Sequence, residues 1–483
     1  IYTTGVSDIS FSMPLVHDPN MTCACPWDFT VTGLVHTINI PSSANPNIYG
    51  EPLTSGDWIG VFYLDNQGNE VCGGAVKWMV FGRAVLLAYG DDPTTPEKDG
   101  FAAGEKFIWR ILDCSEYQEY PAGATYDPTM PNQGNFADFG LSKLTSLQVM
   151  FCQDYTFTAG WNSISSYMMP FDPAVENLFA PVVDNLVIIR NLTSVYWPEE
   201  QINTIGNFNN NSGYVLKMTE NTGFEICGSS FADNEVALEA GWHYLPVLSE
   251  CSADAMELFA AHLDDIVIIQ DLIGVQVFWP AMGVYTLQTL EPGRAYKIKV
   301  INPFTITFPD CAARNQGSGM GPVNSLSTPW GKLDMTQSSQ VVAFNENAVS
   351  ELQNGDFIGA FDQNNSLCGF LQIQSTGAAQ VITLFADDIT TIAKDGFSEG
   401  ENISFRLYRA ETGEEFAMDV VFDLSFDNAT GSYYSSSLSG ITNLSLSITG
   451  INSINAEGIT LFPNPADDYV VITLSGNKVN EGS

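Results

Sequence analysis

Apolar and polar residues trade places over short runs, with Gly, Pro, Asn and Asp between the runs, and this rhythm predicts strands rather than long helices. Residues 30–35 and 58–63 are runs of this kind. Between Tyr63 and Cys72, the segment Asp65-Asn66-Gln67-Gly68-Asn69 predicts a hairpin turn, because Gly and Asn tolerate the positive φ of tight turns. The β-branched runs Val187-Ile188-Ile189 and Val267-Ile268-Ile269 predict strands buried on both faces. Short helices are expected around Leu178 and Leu258. Residues 1–25 alternate loosely through Ile9, Phe11, Met13 and Leu15. They predict one strand without a hairpin partner, which either completes its own sheet or is lent to a neighbouring copy. The expected fold is mainly β, built of several antiparallel β-sandwich-like modules.

The pattern also repeats at long range. Asp91-Asp92-Pro93-Thr94-Thr95 through Lys98-Asp99-Gly100-Phe101 and Gly104-Glu105 returns 296 positions later as Asp387-Asp388-Ile389-Thr390-Thr391 through Lys394-Asp395-Gly396-Phe397 and Gly400-Glu401. Ten of the fifteen positions are identical, too many for coincidence at a constant offset. Upstream, Gly56-Asp57-Trp58-Ile59-Gly60 returns as Gly355-Asp356-Phe357-Ile358-Gly359 at an offset of 299, which places the length change in the hairpin loop. Between these copies lies a second echo at offsets of 80 to 82. It pairs Gly160-Trp161 with Gly241-Trp242, Leu178-Phe179 with Leu258-Phe259, and Tyr196-Trp197-Pro198 with Phe278-Trp279-Pro280. The implied order is nested: an arm at 1–25, A at 26–157, B at 158–228, B′ at 229–311 and A′ at 312–444, then a linker and tail at 445–483.

Composition narrows the setting. At 483 residues the chain exceeds one ordinary core, and 45% hydrophobic residues suffice for several. No apolar run is long enough for a membrane-spanning helix. The opening Ile1-Tyr2 lacks a basic-then-apolar leader, as expected of a mature product. Seventeen basic against 56 acidic residues give a net charge of −39, which argues against nucleic acid and anionic membranes as partners and favours screening by salt or divalent cations. The nine cysteines lack CxxC pairs with histidines, which argues against zinc. Outside the cytoplasm some should pair, and the odd total leaves at least one unpaired within the chain. Cys72 and Cys368 are expected to fill equivalent core positions.

Three stretches resemble known families. The middle pair, with Gly160-Trp161-Asn162, Tyr196-Trp197-Pro198-Glu199, Ile202-Asn203-Thr204-Ile205-Gly206 and Gly213-Tyr214, resembles a tandem module of secreted proteins from Bacteroidetes-type bacteria. The outer pair resembles β-domains of the same kind of protein, and neither likeness implies an activity. Leu461-Phe462-Pro463-Asn464-Pro465-Ala466 with the alternating 469–474 resembles the opening of a type IX secretion C-terminal sorting domain. That resemblance implies export through the periplasm to the outer surface, with the secretion machinery as a transient partner. The family domain continues through further strands that this sequence does not contain.

Candidate chemistry centres on the acidic loop and its copy. Asp91, Asp92, Asp99 and Glu105, with Asp387, Asp388, Asp395 and Glu401, offer hard oxygen ligands suited to calcium, in a spacing unlike an EF-hand. The competing reading has the aspartates capping backbone amides. Trp161, Trp197, Trp242 and Trp279 sit at repeat-fixed positions that mostly suit core packing. Trp197 and Trp279, each before proline, are the candidates for a glycan-stacking surface. The only histidines are His17, His36, His243 and His262, and no HExxH, GxSxG or phosphate-binding loop occurs, so an enzyme is not expected. The expected function is an exported, non-catalytic surface protein, structural or adhesive, in its sharper form a self-assembling fibre. The alternative is a carbohydrate-binding protein of a secreted degradative system.

Overall fold

The computed structural model describes residues 23–79, 82–230, 234–311, 325–448, 459–462 and 471–474. The arm (except Cys23 to Cys25), most of the linker, and the Pro463-Asn464-Pro465 turn lie outside the described residues. The protein is mainly β, with several sheets forming modules and only a few short helices.

In A, seven strands run in the order Ala84–Tyr89, Val35–Ile40, Leu141–Val149, Gln118–Tyr126, Ile108–Asp113, Trp58–Leu64, Glu70–Lys77. In A′ the order is Gln380–Phe385, Ser339–Phe344, Leu438–Ile448, Glu415–Phe422, Ser404–Tyr408, Phe357–Phe361, Leu367–Gln372. Each sheet holds one parallel pairing within this order, Thr37 against Leu141 and Val341 against Leu438. A′ closes into a seven-stranded barrel where Gly369 and Phe370 meet Leu384 and Thr383. In A the same ends come close but form no ladder between the described strands.

The sequence explains the shared interior. Alternation in Ala84–Tyr89 sends Ala84, Leu86 and Ala88 inward and leaves Val85 and Leu87 outside. The Gly60 and Gly359 positions lie under an indole. A Cβ there would stand 2.8 Å from Trp27 and 2.9 Å from Trp330, which pack edge-on against Phe62 and Phe361. Each indole N–H donates to a carboxylate, Glu119 or Glu415. Cys72 and Cys368 are buried, and burial pushes both thiols up to about 12. His36 is buried in A, with its Nδ1 accepting from the Ala137 amide, and burial drops it to about 4, so the ring is neutral.

B and B′ each carry a five-stranded sheet of matching order. In B it is Gly160–Ile164, Tyr214–Met218, Leu186–Arg190, Val195–Trp197, Ile202–Asn203. In B′ it is Gly241–Pro246, Ala295–Val300, Ile266–Asp271, Val277–Trp279, Val284–Tyr285. Register shifts fall at Leu186/Ile188 and at Ile266/Ile268. The helices Val175–Leu178 and Ala255–Leu258 cover one face of each sheet, and a further short helix, Glu346–Val349, belongs to A′. The strand Phe151–Phe157 pairs with Thr222–Ser230, so it is hydrogen-bonded into B although it precedes residue 158.

The Val-Ile-Ile runs are buried on both faces because the second face of each middle sheet meets A′. Ile189 and Ile269 point into the module cores. Ile188 joins Trp161, Val215 and residues of B′ around Phe385 and Leu333 of A′. Ile268, Val277 and Trp279 pack on Val341, Ala343 and Leu438 of A′.

Disulfides join Cys23 to Cys114, Cys152 to Cys227 and Cys251 to Cys311, and Cys25 is free along with the two core thiols. The joined residues are 91, 75 and 60 positions apart. Loops of that size restrict the unfolded chain by about 4 kcal/mol each on loop-entropy grounds. In the tail, Ile459–Phe462 and Val471–Leu474 form an antiparallel pair.

Candidate functional site

Both acidic loops fold identically from the inside out. Asp91 Oδ1 accepts from the Asp99 amide at 2.8 Å, and Asp387 Oδ1 accepts from Asp395 at 2.8 Å. Asp99 and Asp395 in turn cap the amides of Asp92 and Asp388, each at 2.9 Å. Asp92 Oδ1 and Asp388 Oδ1 each accept the amide and hydroxyl of the threonine two residues on. Gly100 and Gly396 are required because a Cβ would lie 2.3 Å from Gly90 carbon and 2.1 Å from the Ala386 oxygen. Phe101 and Phe397 then plug the cores beneath.

Each loop also encloses an ammonium. Lys98 Nζ donates to Glu105, which accepts the amides of Ala102 and Leu64 as well. Lys394 Nζ bonds Glu401 and Asp362 at 2.6–2.7 Å, and Glu401 caps Ser398 and Gln363. Burial opposes the charge of Glu401 and Asp362, but Lys394 and the amides outweigh it and hold both carboxyls below their ordinary range. Asp395 is pushed up by burial. The eight carboxylates proposed as calcium ligands are therefore aimed at amides and lysines. Among the described residues, the one group of three potential metal donors drawn together is Cys152, Glu225 and Cys227, whose two sulfurs are already a disulfide.

The loops part company in what lies outside them. Asp388 Oδ2 receives the Trp161 indole N–H at 2.7 Å and Lys217 Nζ at 2.8 Å, while Lys217 also donates to Thr390 Oγ1 at 2.6 Å. Trp161 and Lys217 face each other across neighbouring strands of B, so the contact ties A′ to B through one carboxylate. The Asp388 and Lys217 side chains are only 5% and 17% exposed. Burial alone would push Asp388 up, yet Lys217, Thr390 and Trp161 together hold it below the ordinary carboxylate range. Its duplicate Asp92 is only partly buried and makes no hydrogen bond or ion pair beyond its own loop among the described residues.

The tryptophans chosen as stacking platforms are placed otherwise. Trp279 is 2% exposed and meets Phe426 edge-on at 5.9 Å, so its ring presents no free face, and this corrects its reading as a surface residue. Trp197 is half-buried against the B–A′ cluster, with its indole nitrogen buried and unpartnered among the described residues. The contact that sequence reasoning missed is the Trp161–Lys217 pair. Its only signal was that both residues recur in the repeat, as Trp242 and Lys299.

No protein-family model matches the chain, and no curated protein matches it. Among solved structures, a backbone pilin of Streptococcus pyogenes is 9% identical, with 87% of this chain and 96% of that chain covered at a TM-score of 0.13. The major pilin subunit of Bacillus cereus is 6% identical, with 80% and 93% covered at a TM-score of 0.11. A biofilm-associated protein domain is 8% identical, with 82% and 97% covered at 0.11. Likeness at these scores carries no functional inference.

Two outcomes follow from the loop geometry. Asp388→Asn should cost about 3 kcal/mol of stability in urea unfolding, because it strips a buried ammonium of its counter-charge. The same change at Asp92, which faces no ammonium and keeps its Oδ1 acceptor as asparagine, should leave the unfolding curve in place. Secondly, the enclosed lysines already supply the positive charge, so the melting temperature should not move on adding calcium or a chelator. A calcium-dependent rise would show that an ion displaces Lys98 or Lys394.

Proposed function

We propose that this chain is an exported, non-catalytic surface protein with a structural or adhesive role. The observation that carries this reading is the use made of its acidic loop. The stretch singled out for its oxygen donors hydrogen-bonds its own amides and an internal lysine in both copies, and in A′ it also binds B. Carboxylate oxygens that hold amides, an ammonium and an indole N–H in place support a structural part for these loops. Three disulfides fit an oxidising, extracytoplasmic setting, and the dense negative surface fits a chain kept soluble there. Export by the type IX route rests on the resemblance of residues 461–474 to a sorting domain. The glycan-binding alternative loses one of its two platforms with the burial of Trp279.

Immunogold labelling of intact, unpermeabilised cells of the source organism checks this. The expected result is surface label that is lost after external protease treatment. Label confined to permeabilised cells, with all nine cysteines reduced, would contradict the reading.

A further inference from the structure

The outer face of A is bare where that of A′ is covered. In A′, Val341, Thr383 and Leu438 are buried, and Val341 and Leu438 share a cluster with Ile268, Val277 and Trp279 of B′. The same places in A hold Thr37, Leu87 and Leu141, which the strand pairing sets in one rank. Leu87 is 40% and Leu141 47% exposed, with Val85 at 56% on the strand of Leu87 and Phe139 at 80% just before Leu141. A soluble chain has little reason to leave this group of large apolar side chains in water unless something covers it.

A candidate cover starts at the edge of this face. Residues 23–29 cross the outside of the neighbouring strands, with Cys23, Cys25, Trp27 and Phe29 half-buried and the residues between them exposed. Trp27 packs on Phe62 and Phe29 on Tyr89. Cys23 is fixed by the disulfide to Cys114, and its carbonyl accepts from Lys77. The strand that Lys77 ends lies against Ala84–Tyr89, since a Cβ on Gly74 would stand 2.1 Å from the Leu87 oxygen. Residues 1–22 therefore join A beside the strand next to Ala84–Tyr89. Their sequence keeps the parity of 23–29, with Ile9, Phe11, Met13 and Leu15 at odd positions and Asp8, Ser10 and Ser12 at even ones. Asp18-Pro19-Asn20 is a turn sequence, suited to doubling back ahead of Cys23. A stretch of 22 residues reaches about 70 Å when extended, against about 20 Å for the length of Ala84–Tyr89.

We propose that residues 8–16 dock as an amphipathic strand on the outer face of A in the same chain, with Ile9, Phe11, Met13 and Leu15 against Val85, Leu87, Phe139 and Leu141. The arm then does for A what B′ does for A′. Docking on the face of the sheet, and not as a further strand inside it, follows from Pro14, which lacks the N–H that a central ladder needs. The occupant is the chain's own arm because the disulfide at Cys23 holds it beside the face, at an effective concentration of about millimolar. The contact is independent of where the protein works.

Limited proteolysis of the full chain with chymotrypsin tests this. In the wild type the bond after Phe11 should resist. Leu87→Ser with Leu141→Ser, at two positions that lie outside the core of A, should speed cleavage there at least about tenfold, because cleavage follows the undocked fraction. Conversely, Phe11→Ser with Met13→Ser should remove the protection of Leu87 and Leu141 from hydroxyl-radical labelling and leave the exposed Leu424 of A′ unchanged. Wild-type cleavage after Phe11 as fast as in the Leu87→Ser, Leu141→Ser variant overturns the proposal. So does labelling of Leu87 and Leu141 that the arm substitutions do not move. Protection that sets in only above about 10 µM, with sedimentation beyond the monomer mass, overturns docking on the chain's own face and assigns the arm to a second copy. None of these results alters the surface reading.

Discussion

One buried carboxylate organises the larger half of this molecule. Asp388 sits between an indole N–H and an ammonium from another module, nearly sealed from water. Taking two charges out of solvent costs several kcal/mol each, and only well-aimed hydrogen bonds offset that cost. Here they are well aimed, because Thr390 takes a second proton of the Lys217 ammonium and the threonine amide holds the other carboxylate oxygen. Such a contact adds modest net stability but rejects misalignment harshly. A shift of A′ against B by one residue leaves a buried charge alone. The apolar surface around it, from Trp161 and Val215 to Phe385, supplies the attraction, and the ion pair supplies the register.

The two halves of the nested order consequently play different parts. A and A′ fold around the same interior, from the indole over Gly60 or Gly359 to the phenylalanine plug beneath the loop. They differ on the outside. Val341 and Ala343 of A′ line the junction with B′, whereas Thr37 and Asn39 stand at those positions in A. Yet A keeps Leu141 and places leucine where A′ has Thr383. Its outer face is neither the dry surface of A′ nor an ordinary solvated one.

Much of this was legible in the sequence, and the reasons are physical. Period-two alternation in stretches such as Ala84–Tyr89 and the Gly-Asn turn after Tyr63 signal strands and hairpins through local sterics, which the chain carries wherever it goes. The capping role of the aspartates was readable as one of two alternatives, since Asp followed by Thr two positions on is a local hydrogen-bonding device. What separated Asp92 from Asp388 was not readable. The two loops are nearly the same in sequence, and the difference lies in Trp161 and Lys217, which reach Asp388 across 227 and 171 positions. The depth of Trp279 was hidden for the same reason, because its covering residue Phe426 belongs to another module. Disulfide pairing was likewise open, since Cys152 and Cys227 become neighbours only once their strands pair.

The account stands on Asp388 and Lys217 acting as one unit across the A′–B junction. A double-mutant cycle measures this directly, with Lys217→Met, Asp388→Asn and the combined variant followed by urea unfolding. The prediction is a coupling of about 2 kcal/mol, with the combined variant less damaged than the two separate losses imply. Losses that simply add, to within about 0.5 kcal/mol, would contradict it.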